Sequence, residues 1–149
     1  MVASVAEMFV SITRLRIRRF WFLLPFFLWN ERATRQIVRT KGFVVGATLM
    51  DRQRAFWTTS VWESEAAMKA YRGSGAHASA MPKLAGWCDE ASIAHWQQPD
   101  SVLPSWEVAH ERMVRDGRSS KVQRPSPNHE RRVIPPPRTT MSRPLKRAI

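Results

Sequence analysis

The sequence predicts an α+β fold of the order β-α-β-β-α-β, the ferredoxin-like split βαβ arrangement, extended by a C-terminal helix and a disordered, basic, proline-rich tail. Three observations predict it. Residues 43–50 and 55–62 are apolar, strand-like runs joined by only four residues, the spacing of an antiparallel hairpin. An amphipathic helical stretch flanks this pair on either side, and beyond each helix lies one more apolar strand. From residue 118 the composition changes abruptly to arginine, lysine and proline.

Residues 1–8 form a short extension. Residues 9–17 alternate as a strand, with Ser11, Thr13, Leu15 and Ile17 on one face and Val10, Ile12, Arg14 and Arg16 on the other. Pro25 suits the first turn of a helix, where its missing N–H costs least. That helix presents Phe26, Leu28, Trp29, Ala33, Ile37 and Val38 on an apolar side and Arg32, Arg35 and Arg39 to water, and Gly42 closes it. After the hairpin, Ser64 caps the next helix, with Glu63 and Glu65 near its positive end. Ala66, Ala67, Met68, Ala70 and Tyr71 form its apolar side, and Gly73-Ser74-Gly75 breaks it. A shorter helical stretch over 76–88 is expected to kink or restart at Pro82. Residues 91–97 complete the strands. Pro104 opens a last helix with Trp106, Val108, Ala109 and Met113 as packing residues, and Gly117 stops it. The domain therefore spans 9–117 and the tail 118–149.

A sheet with helices on one face leaves its other face to be covered. Ile12, Phe56 or Trp57, Trp62 and Trp96 supply large side chains for that second face. The expectation is a homodimer that sets two such sheets together and leaves a cavity between each sheet and its own helices. Alternation alone does not say which residues face which way, because several strand positions are apolar on both sides.

The net charge of +12 is concentrated in the tail, where nine basic side chains stand against Glu130 alone. Six of the ten prolines also lie there, and few apolar residues offset the entropy of ordering it, so composition predicts disorder. Such a tail binds polyanions weakly through counterion release. One cysteine, Cys88, excludes an internal disulfide and any multi-cysteine zinc site, and it reads as a small buried hydrophobe. Residues 20–29 (FWFLLPFFLW) follow Arg18 and Arg19 and resemble the start of a leader. The run is too short to span a bilayer, contains Pro25 and lacks a small-residue cleavage site, so no transmembrane segment and a cytoplasmic location are predicted. Packing into a core or subunit interface is the simpler use of this run, with attachment to a membrane surface as the alternative.

No phosphate loop, HExxH, GxSxG or CxxC is present, and no metal site is predicted. His77, beside a helix N-terminus that disfavours its protonation, is the candidate catalytic base; its alternative role is to brace the helix. Trp62 and Trp57 are candidates for stacking on a flat ligand, although tryptophans at strand spacing also serve as core. Arg14 is a candidate for an anionic substrate group, and His95, alternating with Ile93 and Gln97, for the cavity.

The run Phe56-Trp57-Thr58, Val61-Trp62-Glu63, Ala67-Met68, Ala70-Tyr71, then Ser74-Gly75-Ala76-His77 and Ala80-Met81 resembles the core of the dimeric α/β-barrel superfamily. The pattern is most similar to antibiotic-biosynthesis-monooxygenase-like and spheroidene-monooxygenase-like domains, over residues 9–97. The resemblance implies a homodimer whose cavity takes an apolar or aromatic small molecule, with monooxygenase chemistry or plain ligand binding as its function. Haem-degrading members place a histidine about one turn beyond the position of His77, where this chain has Met81, and use a first-strand asparagine that residues 9–18 lack. The spheroidene-monooxygenase-like pattern keeps a histidine at position 77, which makes haem the one cofactor the resemblance brings into consideration.

Overall fold

The computed structural model describes residues 7–138 and 142–148; residues 1–6 of the expected extension lie outside the described residues. The strands are β1 (Met8–Ile17), β2 (Phe43–Met50), β3 (Ala55–Trp62), β4 (Cys88–Gln98), β5 (Arg118–Ser119) and β6 (Ser142–Lys146). The helices are α1 (Leu23–Val38), α2 (Glu65–Arg72), α3 (Gly75–Trp87), α4 (Trp106–Asp116) and α5 (Pro127–Arg131). The sheet order is β5-β4-β1-β3-β2-β6, with every pairing antiparallel, so the first four strands take the split βαβ order around a central β1.

Local chemistry sets the turns. The Asp51 carboxylate accepts the Gln53 and Ala55 amides at 2.9 and 3.0 Å, which folds the β2–β3 hairpin. Ser64 caps α2 by accepting the Ala67 amide at 3.1 Å. Gly42 takes φ +92°, and a Cβ there would stand 2.5 Å from that of Ala67. Gly42→Ala is therefore expected to cost about 1–3 kcal/mol, read as a lower urea midpoint at unchanged slope. Pro82 lies within α3 without dividing it, so the helix does not restart there. β4 begins three residues earlier than alternation suggests, because Cys88 and Glu90 continue the pairing with Ile17 and Arg16 across a register shift.

The side chains of odd-numbered β1 residues and even-numbered β3 residues face α1, α2 and α3. Phe9, Phe43 and Trp62 meet Ile37 and Met68 at one end, while Ile17 and Phe56 meet Phe26 and Leu84 at the other. The opposite alternation carries Val10, Ile12, Leu49, Trp57, Val61 and Ala94, and these pack under Ala109 and Met113 of α4. Trp62 thus belongs to the helical side of the sheet and not to the second face.

That second face is covered by the chain's own last helix. Ile12 and Trp57 are fully buried within a single chain, and Trp96, half-buried, lies beneath the Arg112 guanidinium at 4.7 Å. Within the chain, Ala109 and Met113 of α4 return across this face and cover its apolar centre.

The tail departs from the disorder that its composition predicts. Over the described residues β5 extends the sheet beside β4, and β6 pairs along the whole middle of β2. Pro144 is accommodated because β6 is an edge strand, where a missing amide donor faces no partner. Two buried side chains, Val122 and Leu145, anchor the segment in the helical-side core. No helix among the described residues is long and apolar enough to cross a membrane.

Candidate functional site

Between the two apolar ends of the helical side, the floor of the sheet changes character. Ser11, Thr13, Thr48, Thr58 and Ser60 occupy adjacent positions on three strands, with Ser11 opposite Ser60 and Thr58 between Thr13 and Thr48. These side chains are too short to reach α1 and α3, which are held off by the large residues at either end. The result is a cavity of about 350 Å³ that also takes Leu15, Phe56 and Ile93 from the sheet. Its roof is Trp29, Asn30, Ala33 and Thr34 of α1, and its side is His77, Met81 and Leu84 of α3. Among the described residues, no Asp or Glu is part of the lining.

His77 is held there by the break between α2 and α3. Gln36 of α1 donates from Nε2 to the carbonyls of Tyr71 (3.1 Å) and Ser74 (2.8 Å), and its Oε1 accepts the His77 amide at 3.1 Å. Gly75, at φ +59°, faces the same Gln36 side chain, where a Cβ would come within 3.1 Å. The imidazole packs beside Tyr71 and Trp29, with ring centroids 4.9 and 5.8 Å away. Its Nδ1 lies 3.2 Å from the Arg72 carbonyl. A carbonyl only accepts, so Nδ1 carries the proton and Nε2 holds the lone pair of the neutral ring. Burial holds the His77 pKa below its usual 6.5; the Arg72 carbonyl opposes that shift, and the Arg72 charge adds to it.

His95 enters from β4, opposite Ser11, and stacks against Phe9 at 5.2 Å. Burial lowers its pKa too, helped by the charge of Arg118. The Tyr71 hydroxyl donates to the Ala33 carbonyl at 3.4 Å, and burial raises the phenol's pKa, so it stays protonated. Trp62 is fully buried behind the wall, its Nε1 donating to Ser60 Oγ at 2.9 Å and its ring 5.5 Å from Tyr71. It supports the lining and is not part of it.

Trp57 and Arg14 are not brought to the cavity. They occupy the opposite alternation of β3 and β1, paired in register with each other, and Trp57 lies beneath α4. Arg14 is 1% exposed and donates to Glu90 Oε1 at 2.7 Å, while Ser126 Oγ donates to Glu90 Oε2 at 2.8 Å. It is an internal ion pair, not an anchor for a substrate. Cys88 is buried at the Phe56 end, and desolvation, with the Asp89 charge, pushes its thiol up to about 12, so it is no nucleophile near neutral pH.

The sequence reading missed Gln36, Asn30 and the hydroxyl floor. The signal for the floor was present, as Ser11 and Thr13, Thr58 and Ser60 recur at a spacing of two on neighbouring strands. The room beside His77 does not fit a haem. The cavity lies at the lower end of the range for small organic ligands, and His77 is hemmed in by Trp29 and Tyr71.

No protein-family model matches the chain, and no curated protein matches it. Solved structures match it in shape. A protein of unknown function from Nitrosomonas europaea, NE2512, superposes with a TM-score of 0.55 at 14% identity, covering 68% of this chain and 99% of that one. A candidate antibiotic biosynthesis monooxygenase from the same organism gives 0.56 at 13% identity, covering 65% and 95%. A variant of SnoaB, a cofactor-independent oxygenase from Streptomyces nogalater, gives 0.54 at 16% identity, covering 67% and 100%. The chain shares the fold of these three proteins. At these identities the likeness is one of fold alone. Within that fold, this chain adds sequence: about a third of it lies outside each match, whereas the matched proteins are covered almost entirely.

Proposed function

We propose that this chain is a monooxygenase-like protein that binds an apolar or aromatic small molecule bearing a hydroxyl or carbonyl group, and that His77 is its proton acceptor. The observation that carries the proposal is a neutral imidazole with its tautomer set by the Arg72 carbonyl, at the wall of an acid-free cavity. Trp29, Phe56, Leu84 and Ile93 would desolvate the ligand's rings, and the hydroxyls of Ser11, Thr13 and Thr58 would take its polar group. Transfer of one proton to Nε2 leaves an electron-rich ligand anion. Such an anion can pass electrons to dioxygen without a metal or flavin, the ligand being oxidised and oxygen reduced. The chemistry of SnoaB, a cofactor-independent oxygenase, lends support to that reading. His95 would be a second polar contact at the Phe9 end, and the cytoplasmic location expected from the sequence goes with this function.

The test is oxygen uptake and binding with a panel of fused-ring hydroxyaromatics. Uptake should fall about 10²–10⁴-fold in His77→Ala, while ligand binding persists. The activity should also fall as pH drops through a value below 6.5, as Nε2 becomes protonated. Unchanged uptake in His77→Ala would remove the histidine from the chemistry.

A second reading, ligand storage or sensing without catalysis, is favoured by one feature: the partner of Nδ1 is a carbonyl and not a carboxylate, so no negative charge supports an imidazolium. Tight binding without oxygen uptake in the wild type would select it.

A further inference from the structure

The solvent side of α1 and of the 3-10 turn before it (Phe20–Phe22) is apolar where a surface helix should be polar. Phe20, Trp21, Leu24, Phe27 and Leu28 are 42–69% exposed. Their spacing, 20, 21, 24, 27 and 28, is one continuous helical stripe. The run was expected to pack into a core or an interface between subunits, with attachment to a membrane surface as the alternative, and only Phe26 of it is fully buried. Further along the same exposed face the stripe turns to charge at Glu31, Arg32 and Arg35, so the apolar part is confined to the tip of the helix.

Beside that tip lies a strongly basic depression. Arg16, Arg18, Arg19, Arg54 and Arg124 line it with one acid, Asp89, whose carboxylate is taken up by Arg16 at 2.7 Å. Arg18, Arg19, Arg54 and Arg124 form no ion pair among the described residues. Arg18 lies over the Phe22 ring at 5.0 Å and Arg19 over the Trp21 ring at 5.9 Å, which holds guanidinium and ring at one level of the surface.

We infer that this tip docks on an anionic phospholipid surface, the five apolar side chains entering the headgroup–acyl boundary and the arginines taking lipid phosphates. Aromatic rings beside basic side chains are what that boundary accepts. A second copy of the chain is the poorer occupant, because a twofold contact through this tip would bring the unpaired Arg18 and Arg19 of one chain against those of the other. Of the described tail, Arg124 lines the depression itself, while β5 and β6 run along β4 and β2. The inner side of the same helix roofs the cavity through Trp29 and Ala33, so an apolar ligand held in the bilayer would meet the site at its roof. That consequence rests on the ligand-binding reading above; the docking does not.

The experiment is co-sedimentation of the full chain with vesicles of 30% phosphatidylserine in phosphatidylcholine, and of phosphatidylcholine alone. The wild type should partition to the anionic vesicles and lose most of that binding on phosphatidylcholine or in 0.5 M salt. Trp21→Ser/Leu24→Ser should bind at least about tenfold more weakly, with an unchanged circular dichroism spectrum. Brominated lipid should quench the wild type, and Trp21→Phe should keep the binding but lose part of the quenching. Three results would each overturn the inference: no binding to anionic vesicles, equal binding by wild type and Trp21→Ser/Leu24→Ser, or a dimer in ultracentrifugation that the double substitution dissolves. The second would assign the attachment to basic charge alone. A failure here leaves the oxygen-uptake test of His77 unaffected.

Discussion

Glu90→Ala is expected to destabilise the fold by about 3–5 kcal/mol, the largest effect of any single charged residue in this chain. Glu90 sits in β4 directly beneath the Arg14 guanidinium, with side chains only 2% and 5% exposed. Taking two such charges out of water costs more than their attraction returns, unless further hydrogen bonds help. Here Ser126 supplies one, at 2.8 Å to the second carboxylate oxygen, while Arg14 Nε has no partner among the described residues. Removing Glu90 therefore strands a buried cation that already lacks one bond. Replacing both partners by apolar residues, Arg14→Met/Glu90→Leu, should recover most of the loss, because no charge is then left behind. Urea unfolding of the two variants beside the wild type decides it. Equal losses in the single and double variants would mean that packing, and not the stranded charge, sets the cost.

Trp57→Ala should cost a comparable amount, about 3–5 kcal/mol, from lost burial and the cavity left under α4. Its indole is fully buried among Ile12, Leu49 and Met113. The same change should leave binding in the cavity nearly untouched, since the β-sheet itself stands between the two. Trp57→Phe is expected to fold with a loss of about 1 kcal/mol, because the indole N–H has no acceptor among the described residues and its removal offsets some of the lost contact. Titration of a cavity ligand into Trp57→Phe then tests the placement directly. A Kd shifted tenfold or more would return Trp57 to the binding site. Neither outcome bears on whether His77 is catalytic.

The histidines give the protein a pH dependence of known sign. His77 and His95 both have pKa values below 6.5 when folded, and so bind fewer protons than in the unfolded chain. Stability should therefore be full above about 6.5 and decline as pH falls below it, towards the folded values. His77→Ala should flatten part of that slope between pH 7 and 5.

The order of strands and helices, the β2–β3 hairpin and the Ser64 cap were legible in the sequence because each depends on neighbours a few residues away. Period-2 and period-3.6 patterns, a four-residue loop and a hydroxyl before Glu65 act locally, and the fold uses them as written. His77 was legible for the same reason: a glycine-bounded break puts it at the start of a helix. Whether that break faces a cavity was not. It depends on Gln36, from α1, reaching across to Ser74 and the His77 amide.

What only the tertiary structure decided is the facing of the strands and what covers each side. A strand apolar on both faces is consistent with either orientation, and a slip of one residue exchanges them. Orientation was settled by the large residues at both ends of the helical side, which leave the small hydroxyls of Ser11, Thr13 and Thr58 as a floor. That choice sends Trp62 behind the cavity and Arg14 and Trp57 to the opposite face of the sheet. Likewise, nothing local in the tail announces that it follows the sheet edges. Leu145 and Val122 are two apolar side chains in a basic, proline-rich segment, and their burial against distant elements outweighs what composition predicts. The sequence by itself determined the elements and their order; long-range packing decided their faces, and with them the site.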